Sequence, residues 1–164
     1  MWRIDRVADK IKRGDISIGT HSMFGWGGGM LTELYGTVGF DMVWIDTEHG
    51  AIDKSTLMNM LIGCAVNNMA AFVRVAWNDK VLAADGIIFP MVLDAEQARA
   101  AVAACQYPPD GVRGWGPVRN MKYGAVGLDA YKEQAKKVWT VIQIEDIRAV
   151  ENIDSILAVE GLNA

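Results

Sequence analysis

Short apolar runs recur along the chain, separated by longer segments with helical spacing. Ile16–Thr20, Asp41–Asp46, Ala71–Val75, Ile87–Val92 and Val138–Ile144 read as five strands, most of them apolar on both faces. Trp2–Lys12, a segment opening at Met30–Tyr35, Lys54–Val66, Asp94–Cys105, Leu128–Lys137 and Ile147–Val159 read as helices. Asp53 or Ser55 is placed to cap the third of these and Asp94 the fourth. Strands buried on both faces and alternating with helices predict a parallel sheet covered by helices, either doubly wound or a (β/α) barrel. A complete eight-stranded barrel takes about 250 residues. The expectation is therefore an incomplete TIM-type barrel: one domain over residues 1–164, about five parallel strands with flanking helices, and a sixth strand ready to begin after Gly161. The connection Ala76–Gly86 is at the lower limit for a parallel crossover, and any helix in Lys80–Asp85 is barely more than one turn.

Composition adds exclusions. Of 164 residues, 51% are hydrophobic and 22% charged, which supports a real core and argues against disorder. The net charge is −4, and no stretch clusters Lys and Arg with interleaved aromatics, so a nucleic-acid role has little support. Arg3, Arg6, Lys10, Lys12 and Arg13 alternate with Asp5, Asp9 and Asp15 and read as a solvated helix face. Cys64 and Cys105 sit in apolar, helix-like runs outside any CxxC pair and read as buried, inert thiols. The N-terminus has no apolar leader and no run reaches the ~18 apolar residues of a membrane span, so the expectation is a soluble, cytoplasmic protein.

In parallel α/β folds functional groups collect at the carboxyl ends of strands, and four strand ends here carry polar groups that packing does not explain. Asp46-Thr47-Glu48-His49-Gly50 delivers two carboxylates and an imidazole within four residues. Histidine titrates near neutral pH and suits proton transfer, although spacing alone also allows a loop histidine paired with a carboxylate. His21, after the first strand, either lines the same face or makes a structural hydrogen bond. Arg74 lies inside Phe-Val-Arg-Val, where it is either half of a salt bridge or a fixed cation for an enolate or carboxylate. Gln143 and Glu145 share one face of Val-Ile-Gln-Ile-Glu-Asp, and a carboxylate there suits a hard divalent cation. Tyr107-Pro-Pro-Asp-Gly-Val-Arg-Gly is turn chemistry, with Arg113 and Arg119 as candidates for an acid substrate or a neighbouring subunit. Gly25-Trp26-Gly27-Gly28-Gly29 precedes a helix, but its spacing matches no phosphate-loop pattern.

Ile-Asp-Thr-Glu-His-Gly, Val-Arg-Val with Trp-Asn-Asp, Ile-Ile-Phe-Pro-Met-Val, Tyr-Pro-Pro-Asp-Gly-Val-Arg-Gly and Gln-Ile-Glu stand in an order that resembles the HpcH/HpaI aldolase family over nearly the whole chain. The resemblance implies a TIM barrel, usually hexameric, using Mg²⁺, Mn²⁺ or Co²⁺. It implies a class II pyruvate aldolase that cleaves 4-hydroxy-2-oxo acids to pyruvate and an aldehyde. His49 would be the proton acceptor, Arg74 the transition-state stabiliser, Gln143 a pyruvate-binding group and Glu145 a metal ligand, with Asp46 orienting the site around His49. Two departures accompany it. The family's Gly-Pro-x-Asp-type motif, with a second metal-ligating aspartate, has no counterpart here, and neither does the aspartate of the family's longer crossover, which Asp85 does not replace. These departures raise the alternative of an inactive truncated remnant acting as a binding or assembly partner.

Overall fold

The structure, a computed structural model, describes residues 3–76 and 84–164. The expected Trp2 helix start and most of the short turn expected near residue 80 fall outside these.

The elements run α1 (Arg3–Lys12), β1 (Gly19–Ser22), α2 (Gly28–Thr37), β2 (Met42–Asp46), α3 (Lys54–Val66), β3 (Ala70–Arg74), β4 (Gly86–Phe89), α4 (Ala95–Cys105), a 3₁₀ turn (Lys122–Gly124), α5 (Leu128–Ala135), β5 (Trp139–Ile142), α6 (Ile147–Glu151) and α7 (Ile153–Leu157). The five strands form one parallel sheet in the order β1-β2-β3-β4-β5, with β1 and β5 at its open ends. This is the architecture expected of an incomplete (β/α) barrel. The described residues divide into two compact units, 3–74 with 84–86 and 75–76 with 87–164.

In the first unit β2 is flanked on both sides. Met42 to Ile45 of β2 pair with Gly19 to Ser22 of β1, and Met42 to Asp46 pair with Ala70 to Arg74 of β3. Val43, Ile45, Ala71 and Val73 are fully buried with Met60, Leu61 and Cys64 of α3. Trp44 and Asp46 project to the opposite face, since side chains alternate along a strand. Asp53 caps α3, its carboxylate accepting from the Thr56 N–H at 2.7 Å. Helices α2 and α3 meet at glycines: a Cβ on Gly63 would lie 2.1 Å from the Gly29 carbonyl oxygen. The glycine run is thus explained partly by close helix packing.

The first strand is shifted from Ile16–Thr20 to Gly19–Ser22, and Ile16 is 80% exposed. Ile18 is held instead by Asp41: its N–H reaches the Asp41 carboxylate at 2.9 Å and its carbonyl accepts the Asp41 N–H at 2.8 Å. The solvated-face reading of α1 needs correction. Arg6 and Lys10 both pair with the buried Asp41, at 2.9 and 2.8 Å, and Arg3 pairs with the buried Asp85 at 2.9 Å. Asp41 and Asp85 immediately precede β2 and β4, so α1 is clamped to the amino-terminal ends of the strands while Ile4 and Val7 fill the core. Only Lys12 and Arg13 of these cations are exposed.

In the second unit Asp94 caps α4 through the Gln97 N–H at 2.9 Å. The helix expected over Ile147–Val159 is broken at Asn152 into α6 and α7. The Asn152 amide donates to the Leu93 carbonyl at 3.0 Å, which ties the break to the loop after β4. Beyond α7 the backbone returns alongside β5: Asn163 N–H donates to the Thr140 carbonyl and Ile142 N–H to the Ala164 carbonyl, both at 2.9 Å. Tyr131 is fully buried, its hydroxyl 2.9 Å from that of Tyr107. Cys64 and Cys105 are free and buried, and burial pushes the Cys64 thiol up to about 12. Among the described residues no helix is long and apolar enough to cross a membrane.

Candidate active site

At the carboxyl ends of β2 and β3, Asp46 and Arg74 occupy paired register positions. Parallel pairing points both side chains to one face. Arg74 Nε donates to Asp46 Oδ1 at 3.0 Å and Nη2 to Oδ2, a two-pronged contact that suits the planar guanidinium. Nε also lies 3.3 Å from Glu48 Oε2. The Asp46 carboxylate is fully buried and further accepts the backbone N–H groups of Glu48 and His49, at 3.0 and 3.2 Å. Burial works against its charge, but the Arg74 hydrogen bonds, the two backbone donors and the guanidinium charge outweigh it and hold its pKa below the ordinary value.

Asp46 therefore shapes the segment carrying His49 through backbone amides. The His49 ring faces a different carboxylate, its Nε2 3.5 Å from Glu48 Oε2, and is 61% exposed. The Thr47 hydroxyl donates to the Arg74 carbonyl, with its N–H on the same oxygen at 3.1 Å, which ties this turn to the end of β3. Beneath the ion pair lies Trp44, with Arg74 Cζ 5.4 Å from its ring centroid. His21, across β1 from Trp44 in register, sets its ring edge-on to the indole at 5.5 Å and brings Nε2 to 3.7 Å from Asp46 Oδ2. Sequence reasoning left His21 between two readings and did not single out Trp44. Trp44 carried no signal beyond its place in an apolar strand and His21 none beyond following one; register decides both.

The second unit brings Gln143 and Glu145 together just past β5. Glu145 Oε1 accepts the Met91 N–H at 2.7 Å, and the Gln143 amide lies 3.5 Å from Oε2. Gln143 N–H donates to the Phe89 carbonyl at the end of β4. A cavity of about 320 Å³ opens beside this turn, lined by Phe89, Pro90, Met91, Val92, Leu93 and residues of α4. The oxygen donors suit a hard cation. They include a single carboxylate, however, and the described residues contain no group of three His, Cys, Asp or Glu side chains placed to hold a metal. Glu145 offers one carboxylate here, with Oε1 accepting the Met91 N–H. Arg113 lies over the Tyr107 ring, 4.7 Å from its centroid, a stacked and partly buried position rather than an open anion site. Asp85 is taken up by Arg3 and by the Ala71 N–H at the opposite end of β3 from Arg74.

Comparison with known proteins supplies the family. The chain is 38% identical over 141 residues to the 2-dehydro-3,6-dideoxy-6-sulfogluconate aldolase of Pseudomonas putida, a match covering 80% of this chain and 54% of the relative. It is 34% identical over 163 residues to the 4-hydroxy-2-oxo-heptane-1,7-dioate aldolase of Salmonella paratyphi B, covering 94% and 61%. The crystal structure of an HpcH/HpaI aldolase from Desulfitobacterium hafniense DCB-2 aligns with a TM-score of 0.86 at 27% identity, over 96% of this chain and 64% of that one. The chain thus spans little more than half the length of the curated relatives it matches. The family model described as HpcH/HpaI aldolase/citrate lyase matches residues 29–164, and this chain belongs to that family.

Proposed function

We propose that the chain carries the chemistry of a class II pyruvate aldolase, which breaks the bond between C3 and C4 of a 4-hydroxy-2-oxo acid to give pyruvate and an aldehyde. One observation carries the reading: a guanidinium locked between Asp46 and Glu48 at two adjacent strand ends, with the exposed imidazole of His49 beside it. The reaction removes the proton of the C4 hydroxyl, and the electrons of the broken bond become a pyruvate enolate. His49 takes that proton; its exposure leaves the ring accessible to substrate or to a bridging water. Arg74, held in one orientation by two carboxylates, meets the charge that grows on the enolate without having to reorganise. Asp46 holds both partners in place, the guanidinium through its side chain and His49 through the backbone. Gln143 offers an amide to the pyruvate moiety, and Glu145 would hold a divalent metal, Mg²⁺, Mn²⁺ or Co²⁺. Such an ion, when bound, would supply Lewis-acid chemistry to the 2-oxo acid. The rest of the reading is a cytoplasmic homo-oligomer, each chain one domain and the amino-terminal portion of a pyruvate-aldolase barrel, acting on small 2-oxo acids and aldehydes.

Incubation with Mg²⁺ or Mn²⁺, pyruvate and a small aldehyde tests this. An aldol product, or metal-dependent exchange of the pyruvate methyl protons, is expected; absence of both rejects the activity. A second reading, a non-catalytic binding or assembly partner, is supported by the lack of a three-ligand metal group among the described residues. It predicts no thermal stabilisation by Mn²⁺ with pyruvate.

A further inference from the structure

The two histidines of the chain divide the two carboxylates of the site between them: His49 faces Glu48, and His21 faces Asp46. Aldol cleavage requires two proton transfers at different atoms. One removes the hydroxyl proton at C4; the other delivers a proton to C3 of the enolate. We propose that His21 is the second proton-carrying residue of this site, the group that protonates the enolate carbon. The inference rests on the aldolase reading above and assigns to it a residue which that reading leaves unused.

Three features support this. His21 and Arg74 lie against the same indole, the imidazole edge-on at 5.5 Å and the guanidinium carbon 5.4 Å from the ring centroid. An acid at His21 is therefore carried on the same tryptophan as the cation that stabilises the enolate. Its Nε2 stands 3.7 Å from Asp46 Oδ2, which is too long for a hydrogen bond, so this nitrogen is not committed to Asp46 by one. The side chain is 44% exposed, which gives it access to solvent for reprotonation. Trp44 acts as the positioning residue. Its indole N–H is buried with no hydrogen-bond partner among the described residues, so the ring is held by packing and serves through its face and edge. Of the charged groups in the described residues, Asp46 stands beside the imidazole and Arg74 across the indole.

The step balances without an oxidant or further reactant. The N–H bond of the imidazolium breaks, the enolate double-bond pair forms the new C–H bond at C3, and the ketone is restored. Neutral His21 regains a proton from water, and His49 returns the hydroxyl proton to water.

The test follows the loss of pyruvate methyl protons in D₂O by NMR, with Mn²⁺ or Mg²⁺ present, for the wild-type chain and for His21→Ala. Exchange is expected to fall about tenfold or more in the variant, at the low end of what a lost acid–base group costs, and to recover when free imidazole is added. His21→Gln, which keeps the shape and removes the acid, should show the same loss with an unchanged melting temperature. The His21 ring signals, one of only two histidine sets, should move when Mg²⁺ and pyruvate are added together. Wild-type exchange in His21→Ala overturns the proposal and leaves the aldolase reading standing. A loss that imidazole does not restore and that accompanies a lower melting temperature assigns His21 a structural role and also overturns it. A wild-type chain with neither exchange nor aldol product overturns both.

Discussion

Asp46 and Arg74 face one another from paired positions on β2 and β3, the carboxylate fully buried and the guanidinium laid across it with Nε 3.0 Å from Oδ1. A buried carboxylate of this kind stands only as long as its partner does. The pair is simultaneously a packing element of the sheet end and the electrostatic centre of the proposed site.

Arg74→Ala should destabilise the chain by about 3 kcal/mol, because it strands a buried charge. Asp46→Asn combined with Arg74→Ala should cost much less than the two single losses added together. Denaturant unfolding of the four proteins in a double-mutant cycle measures this, and additive losses would contradict it. Arg74→Lys keeps the charge but not the planar fork, so it should recover only part of the stability.

His49→Gln should separate function from fold. The ring is 61% exposed, with Nε2 3.5 Å from Glu48 Oε2, so unfolding should be unchanged to within about 0.5 kcal/mol. Aldol activity should fall by roughly 100-fold or more. A large drop in stability would show that the imidazole serves the fold.

Acid should weaken the first unit through two carboxylates. Burial opposes ionisation of Asp41, but Lys10, the Ile18 N–H and Arg6 outweigh it and lower its pKa, as Arg74 and two backbone amides do for Asp46. The folded chain therefore binds these protons less readily than the unfolded chain. The stabilisation is complete above the unfolded aspartate value of roughly 4 and is lost as pH falls through the lower folded values. Stability measured against pH should drop below about pH 4, and Asp41→Asn should show a shallower drop from a lower plateau.

Gly63→Ala should be costly despite replacing one small residue with another. The added methyl would lie 2.1 Å from the Gly29 carbonyl oxygen and 2.3 Å from Thr32 Oγ1. Forcing α2 and α3 apart should cost about 1–3 kcal/mol. A melting temperature equal to wild type would show that the helices can separate freely.

Mn²⁺ with pyruvate should raise the melting temperature of the wild-type chain, as any ligand specific for the folded state does. Glu145→Gln should abolish most of that rise while leaving the apo melting temperature near wild type, since an amide oxygen can still accept the Met91 N–H. An equal rise in both proteins would place the ion elsewhere.

The sequence by itself determined the element types and which polar groups fall at strand ends. Apolar runs too short for helices, separated by capped amphipathic segments, leave little choice but parallel strands and crossovers, and Asp53 and Asp94 cap the helices they precede. Asp46, Arg74, Gln143 and Glu145 could be picked out as candidates because each is a polar group at or just past the carboxyl end of an apolar run. Tertiary structure decided what pairs with what. Arg6 and Lys10 look like surface charges until Asp41, more than thirty positions on, is brought beneath them. His21 and Trp44 acquire meaning only when register sets β1 beside β2, and the Asp46 carboxylate meets Arg74 and two backbone amides while the His49 ring lies beside Glu48. Local patterns are written by residues a few positions apart, whereas register and ion-pair choice are settled by competition among groups far apart in sequence, which only the folded chain brings together.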